Sequence, residues 1–344
     1  MRRRVLVGML AATMALAFGS LSQPVAWSAE DIIMGQYEGL FTPAKGSPVK
    51  ADGKVIAEGK GNYRAVLSAI PAEGATPVQL QLRQQLSGLK RLFRSDKKAR
   101  LAGETKAGKW TGTIKGGEFV AAAKGDNGGK FELNRVEPKS PTEGQKPPAG
   151  AIVLLPFEPG RKPPTSLAEW TNKNWKILPD GSIEGVRGDN KTIRTFQDVQ
   201  LHAEFMCPYE PLGRGQGRGN SGVYLQDFYE VQVLDSFGLP TESHECAAIY
   251  SVAAPKVNAC FPPLYWQTYD ITFRAARFSA DGKVEKPAIM TILHNGVKIH
   301  DQQVVPRGTE RSKPGGEPKV GPVKLQDHGH PVRYRNIWVV ELKD

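Results

Sequence analysis

The sequence predicts an all-β protein, with an antiparallel β-sandwich or jelly roll in its C-terminal half and a small, mostly β domain before it. From Ala151 onward, short apolar runs alternate with Gly, Pro, Asn and Asp, and almost no helical period appears. Asn295-Gly296 sits between Met290-Thr291-Ile292-Leu293-His294 and Val297-Lys298-Ile299. That is a hairpin signal, because a type I′ turn needs positive φ at both central residues. The stretch from Glu137 to Gly150 carries Pro138, Pro141, Pro147 and Pro148. It reads as a linker, since proline removes ladder donors and stiffens an extended chain.

The first 29 residues read as an export signal. Arg2, Arg3 and Arg4 precede an apolar stretch from Val5 to Phe18, broken only by Thr13, and small residues follow it. The stretch is shorter than the roughly 20 residues of a membrane-spanning helix. An exported chain, periplasmic or extracellular, with no membrane span after processing is therefore expected, with an uncleaved N-terminal anchor as the alternative. No Cys follows the apolar stretch, so nothing points to a lipoprotein.

Residues 30–136 are expected to form the small domain. Tyr63 to Leu67, Val78 to Leu82, Trp110 to Ile114, Phe119 to Ala122 and Lys130 to Arg135 alternate as strands do, with Lys115-Gly116-Gly117 as a turn. Gln81 to Leu101 is its one expected helix, interrupted by Ser87 and Gly88. The formal net charge is +11, and Lys90, Arg91, Arg94, Lys97, Lys98 and Arg100 concentrate part of it. A solvated face explains that run better than a nucleic-acid site, because no recognised nucleic-acid motif accompanies it.

Residues 151–344 are expected to form the sandwich. Its strands are Ala151 to Leu155, Gln200 to Phe205, Gly222 to Gln226, Tyr229 to Leu234, Trp266 to Arg274, Ala288 to Leu293, Val297 to Asp301, Val323 to Gln326 and Asn336 to Leu342. Three cysteines occur, and an oxidising compartment permits two to pair. Cys246 and Cys260 close a short loop and are the expected disulfide, which leaves Cys207 free. With no Cys-x-x-Cys pair and no clustered His, a zinc site is not expected.

The most informative run is Gly215 to Gln226, followed by Tyr229 to Ser236. Period-two geometry puts Asn220, Gly222, Tyr224 and Gln226 on one face of the first strand, and Glu230 and Gln232 on one face of the second. A carboxylate flanked by amides, arginine and tyrosine suits a sugar-binding concavity, where hydroxyls need many oriented donors and acceptors. Gly217, Gly219 and Gly222 do not make a phosphate loop, since neither a following helix nor a Gly-Lys-Ser/Thr ending is present. Asp235 has the opposite parity and reads as structural. Trp266 and Tyr269, inside a strand pattern, read as core aromatics more readily than as stacking platforms.

Several segments resemble, in order, the 3-keto-disaccharide hydrolase domain family. They are Gly-Arg-Gly-Asn-Ser-Gly-Val-Tyr at 217 to 224, Tyr-Glu-Val-Gln-Val-Leu-Asp-Ser-Phe-Gly at 229 to 238, Cys-Ala-Ala-Ile-Tyr at 246 to 250 and Trp-Gln-Thr-Tyr-Asp at 266 to 270. His-Asn-Gly-Val at 294 to 297, Leu-Gln-Asp-His-Gly at 325 to 329 and Val-Arg-Tyr-Arg-Asn-Ile-Trp at 332 to 338 complete the series. The resemblance runs over about 190 residues, far more specific than a single motif. It implies a concanavalin A-like lectin/glucanase sandwich. Phe157-Glu158-Pro159-Gly160, where the family often carries Phe-Asp-Gly, and Cys207 depart from its pattern.

The chemistry implied is cleavage of 3-keto-glucosides or disaccharides. A ketone at C3 acidifies the C2 proton, a base removes it, the glycosidic oxygen leaves C1, and water adds back. Such a reaction needs a base, an acid for the leaving group and stabilisation of the enolate oxygen. Glu230 is the expected base and His328 its acid/base partner, with Arg218 or Arg335 at the oxyanion. Asn220, Gln232, His294, Gln326 and Asp327 are expected to position hydroxyls. His294 beside its hairpin turn also fits a strand-capping role, and Arg333 and Arg335 also fit bracing ion pairs to Asp327 or Asp270. No cofactor is certain. A divalent metal held by Glu230, Asp327 or His328 suits the enolate, although no diagnostic ligand spacing is present. The partner implied is an oxidised glycoside or glycan, supplied by a separate sugar 3-oxidoreductase. The alternative is a non-catalytic lectin-like module. An ordinary retaining glycosidase fits less well, because Glu230 is followed by Gln232 and Leu234 where a second carboxylate would stand.

Overall fold

The computed structural model describes residues 31–69, 77–84, 98–105, 108–125, 128–309 and 316–343. The expected export signal, together with Lys90, Arg91, Arg94 and Lys97, lies outside them. Strands dominate the described residues and no α-helix occurs among them. None of their elements is a helix long and apolar enough to cross a membrane.

Eight strands, β1 (Gly35–Pro43), β2 (Val49–Gly59), β3 (Asn62–Ala69), β4 (Val78–Gln84), β5 (Lys98–Thr105), β6 (Gly108–Lys115), β7 (Glu118–Ala123) and β8 (Gly129–Val136), close into an antiparallel barrel. Closure comes from β1, which pairs with both β2 and β8. Every second residue points inward and is buried, as in β3, where Tyr63, Ala65, Leu67 and Ala69 face the core. Phe41, Trp110 and Phe131 fill one end, with ring centroids 4.5 to 6.4 Å apart. A small residue is required at Gly53, where a Cβ would stand 2.7 Å from Leu67 and 2.9 Å from Leu133.

The helix expected from Gln81 to Leu101 is not formed at either end. Gln81 to Gln84 lies in β4 and Lys98 to Leu101 in β5, and the two strands pair with Gln84 opposite Leu101. The inward alternation of Leu80, Leu82, Ala99 and Leu101 overrides the local helical composition. Lys98 and Arg100 point out of the barrel to solvent.

The second half holds β9 (Ile152–Leu155), β10 (Lys176–Ile177), β11 (Ile183–Glu184), β12 (Asn190–Lys191), β13 (Val199–Met206), β14 (Ser221–Leu225), β15 (Tyr229–Val233), β16 (Gln267–Arg274), β17 (Arg277–Phe278), β18 (Val284–Lys286), β19 (Ala288–His294), β20 (Val297–Val305), β21 (Lys324–Leu325) and β22 (Arg333–Glu341). They build a two-layer sandwich. The larger sheet runs β10-β11-β22-β13-β16-β19-β20, with β9 on β22, and the smaller runs β12-β21-β14-β15. Leu201, Ala203, Phe205, Ile271, Phe273, Met290 and Ile292 of the larger sheet meet Val223, Leu225, Val231, Val233 and Leu325 of the smaller in one core. His294 pairs with Val297 across Asn295 (φ 51°) and Gly296 (φ 77°), the two-residue hairpin that Asn-Gly demands.

Glu137 to Gly150 is not a free tether. Ser140 is buried and hydrogen-bonded to Thr268, and the Thr142 hydroxyl donates to Asp270 at 2.8 Å. The Gly144 amide donates to Glu204 at 2.6 Å. Further contacts join barrel to sandwich: Arg218 Nη1 donates to the Ala57 carbonyl, Lys54 Nζ to the Asn258 carbonyl and Tyr209 to Asp31.

Candidate active site

The outward face of the smaller sheet collects the polar side chains. On β14 and β15 the odd-numbered positions Val223, Leu225, Val231 and Val233 fill the core, so Gly222, Tyr224, Glu230 and Gln232 share the other face. Register sets them in two rows. Lys324, Tyr224 and Glu230 stand side by side across β21, β14 and β15. In the next row Gly222 lies opposite Gln232, and the Gln326 amide donates to the Gly222 carbonyl.

Within this face the Glu230 carboxylate leans over Gly222. A Cβ there would meet Glu230 Oε1 at 2.5 Å and the Tyr224 ring at 2.9 Å, so the glycine is the space the carboxylate occupies. Glu230 is only 3% exposed. Gln326 Nε2 donates to the Tyr224 hydroxyl at 3.1 Å, and Lys324 Nζ sits 3.7 Å from the Tyr224 ring centroid while pairing with Asp227 at 2.7 Å. Gln216, on a short 3-10 turn at Gly215–Gly217, gathers the other amides: its Oε1 accepts from Gln232 Nε2 at 2.8 Å and from Asn220 Nδ2 at 3.2 Å. The Gln232 and Gln326 side-chain oxygens are buried without a hydrogen-bond partner among the described residues. Orphan acceptors are costly in a folded protein and fit a site that receives hydroxyl donors.

Glu230, Asn220, Gln232 and Gln326 are thus brought together. His328 stands exposed, two residues beyond Gln326 in the chain. Asp327 holds loops instead of facing the site: its carboxylate accepts from the amides of Gly188 (2.7 Å) and Gly329 (3.0 Å). Among the described residues, Glu230, Asp327 and His328, each named as a possible metal ligand, do not come together in one cluster. Among the described residues, the one trio of His, Cys, Asp or Glu close enough to share an ion is Cys246, Cys260 and His294.

Three residues assigned to substrate lie elsewhere. Arg218 is buried and spent on Asp235, at 2.5 Å, and on the barrel's Ala57 carbonyl. His294 faces the sandwich core between Phe205 and Tyr269, its Nε2 3.0 Å from Gln267 Oε1. Burial, reinforced by the Lys54 charge, pushes its pKa down to about 3, so it is a neutral core histidine. Arg335 belongs to the opposite sheet, clamped between the rings of Phe157 and Trp266 and paired with Glu204 at 2.7 Å and Glu143 at 2.8 Å. Its bracing partners are these glutamates, while Arg333 approaches Glu184 at 3.5 Å. The expected Cys246–Cys260 pair stands close, its sulfurs within 4.8 Å of each other, and in this structure all three cysteines are buried and free.

Reasoning from sequence missed Gln216, Lys324 and a buried network on the outer face of the larger sheet. Parity could have found Lys324, two residues before Gln326; nothing local marks Gln216. In the network, His202 bonds Asp270 at 2.7 Å, approaches Glu204 at 3.5 Å and stacks on Trp338. A bulge in β22, absorbed by Asn336 at φ 48°, aims the Asn336 amide at Glu204 Oε1, 2.8 Å away. Burial alone would lower the His202 pKa, but the hydrogen bonds to Asp270 and Glu204 win and hold it above 6.5. For Glu204, burial raises the pKa, yet the His202 hydrogen bond and the Arg335 charge bring it below 4.5.

Residues 162–340 match the family model of a 3-keto-alpha-glucoside-1,2-lyase-like domain. Solved structures of three candidate glycosyl hydrolases from Parabacteroides distasonis are similar. One shares 34% identity at a TM-score of 0.51 and covers 56% of this chain and 84% of its own. A second shares 18% at 0.41, over 56% of this chain and 99% of its own. The third shares 19% at 0.38, over 52% and 90%. Among curated proteins, none matches the chain.

Proposed function

The chain belongs to the 3-keto-alpha-glucoside-1,2-lyase-like domain family, and on that premise we propose that it is an exported enzyme that cleaves 3-keto-glucosides by proton abstraction, elimination and hydration. Membership, with candidate glycosyl hydrolases as structural neighbours, supports a carbohydrate-active role. The observation that carries the finer reading is the Glu230 carboxylate, buried over Gly222 beside the orphan oxygens of Gln232 and Gln326.

In this reading Gln232 and Gln326 accept hydroxyl protons of the ring and present its C2 hydrogen to Glu230. Glu230 takes that proton. The developing enolate oxygen is stabilised by the Tyr224 hydroxyl, which Gln326 Nε2 orients. As the C1–O bond breaks, the exposed His328 delivers a proton to the departing oxygen, and water then adds to the unsaturated sugar. Arg218 and Arg335 take no part at the oxyanion in this reading, because both guanidiniums are committed to carboxylates.

Purified protein should release the aglycone from a 3-keto-glucoside and leave the unoxidised parent intact. Turnover of both substrates would point to an ordinary glycosidase. Saturable binding of both without turnover would point to a lectin-like module.

A further inference from the structure

We propose that Cys246, Cys260 and His294 form a buried site for a thiophilic transition-metal ion, with Zn2+ as the ion that fits. The three come from distant parts of the chain: the segment after β15, the loop before β16 and the end of β19. Their two sulfurs and a ring nitrogen all lie within 4.8 Å of one another. Around a tetrahedral Zn2+ with bonds of about 2.0–2.3 Å, ligand atoms stand roughly 3.5–3.8 Å apart. A closure of about 1 Å would therefore seat the ion.

The surroundings already orient the ligands. Gln267 Oε1 accepts from the Phe261 backbone amide at 3.0 Å, which identifies it as the amide oxygen. The His294 Nε2 facing it at 3.0 Å must then carry its proton, so the Nδ1 lone pair is left for a metal. A carbonyl oxygen that accepts from the far ring nitrogen, and so fixes the tautomer, is the usual support of a metal-binding histidine. Tyr269 gives its own proton to the Gln232 carbonyl at 2.5 Å, so the Cys246 thiol donates to the tyrosine oxygen at 3.3 Å. Metal binding would displace that proton and the Cys260 proton to solvent.

One of the three ligands borders open space. Cys260, Asn258, Asn295, Lys54 and Gln36 line a cavity of about 270 Å³ between barrel and sandwich. Three protein ligands leave one coordination position for a water. Thiolate and imidazole together favour zinc or copper(I) over calcium or magnesium. An ion here would also steady the candidate site, because the segment carrying Cys246 bonds back to β15. The Ala247 amide donates to the Gln232 carbonyl, the Gln232 amide to Ala248 and the Tyr250 amide to Glu230.

The test uses the full chain, purified with reductant, loaded with Zn2+ or Co2+ and desalted before metal analysis and absorption spectroscopy. Stoichiometric zinc and an intense thiolate-to-cobalt charge-transfer band are expected. Both should vanish in Cys260→Ser and persist in Cys207→Ser. Gln267→Met, which removes no ligand, should weaken Co2+ binding by roughly 10–100-fold. If Cys260→Ser does not fold, the wild-type cobalt spectrum decides alone. The proposal is overturned by a reduced wild type that retains no metal, by zinc retained in Cys260→Ser, or by a Cys246–Cys260 disulfide in protein isolated without added oxidant or reductant.

Discussion

Gly222→Ala tests whether the close fit around Glu230 matters. The new Cβ would stand 2.5 Å from Glu230 Oε1, where ordinary contact begins near 3.4 Å, and 2.9 Å from the Tyr224 ring. The carboxylate must retreat by about 1 Å, and a misplacement of that size can cost about 10²-fold in rate. Overpacking adds a stability loss of about 1–3 kcal/mol. Turnover of a 3-keto-glucoside and urea unfolding are measured for the single variant and for Gly222→Ala in a Glu230→Gln background. If the methyl acts by displacing the carboxylate, the second substitution adds almost nothing to the rate loss of the first. Wild-type turnover in Gly222→Ala, or rate losses that simply multiply, would refute this reasoning.

Arg335→Leu should destabilise by about 3–5 kcal/mol, since it takes the arginine charge from Glu204, a fully buried carboxylate, and leaves it only the hydrogen bonds of Gly144, Asn336 and His202; denaturant unfolding with a loss below about 1 kcal/mol would show the pair to be incidental. The raised His202 pKa sets a sign for pH: its stabilisation is complete below the unfolded value near 6.5 and is lost as pH rises through the higher folded value. Melting temperatures of wild type and His202→Gln should therefore converge as pH rises, and a gap independent of pH would contradict it. The depressed Glu204 pKa acts at the other end, its contribution being present above about 4.5 and lost as pH falls through the folded value. Limited proteolysis should spare 140–145, whose backbone and side chains are bonded to the larger sheet; early cleavage there would show those contacts to be weak.

The sandwich was legible because its strands keep period two and its turns carry their own chemistry, as Asn295-Gly296 shows. The barrel was only half legible. Strand β2 runs through Ala51, Gly53, Val55 and Ala57, mostly small residues that fit a tight interior, and so carries too weak an apolar alternation to stand out as a strand. Within the candidate site, parity alone placed Glu230 and Gln232 together. Parity cannot say what a side chain meets across the molecule, which is why Arg218, His294 and Arg335 were misplaced. Each is a polar residue consumed by a partner at least 17 positions away or buried in the core. The same limit hid the Cys246, Cys260 and His294 trio, which no spacing rule joins.

The central claim is that Glu230 takes the C2 proton, and the turnover of a 3-keto-glucoside by Glu230→Gln tests it most directly. A fall of roughly 10²-fold or more is predicted, the scale of losing a positioned base, with a melting temperature close to that of wild type. Wild-type turnover in this variant would contradict the account and move the base to His328.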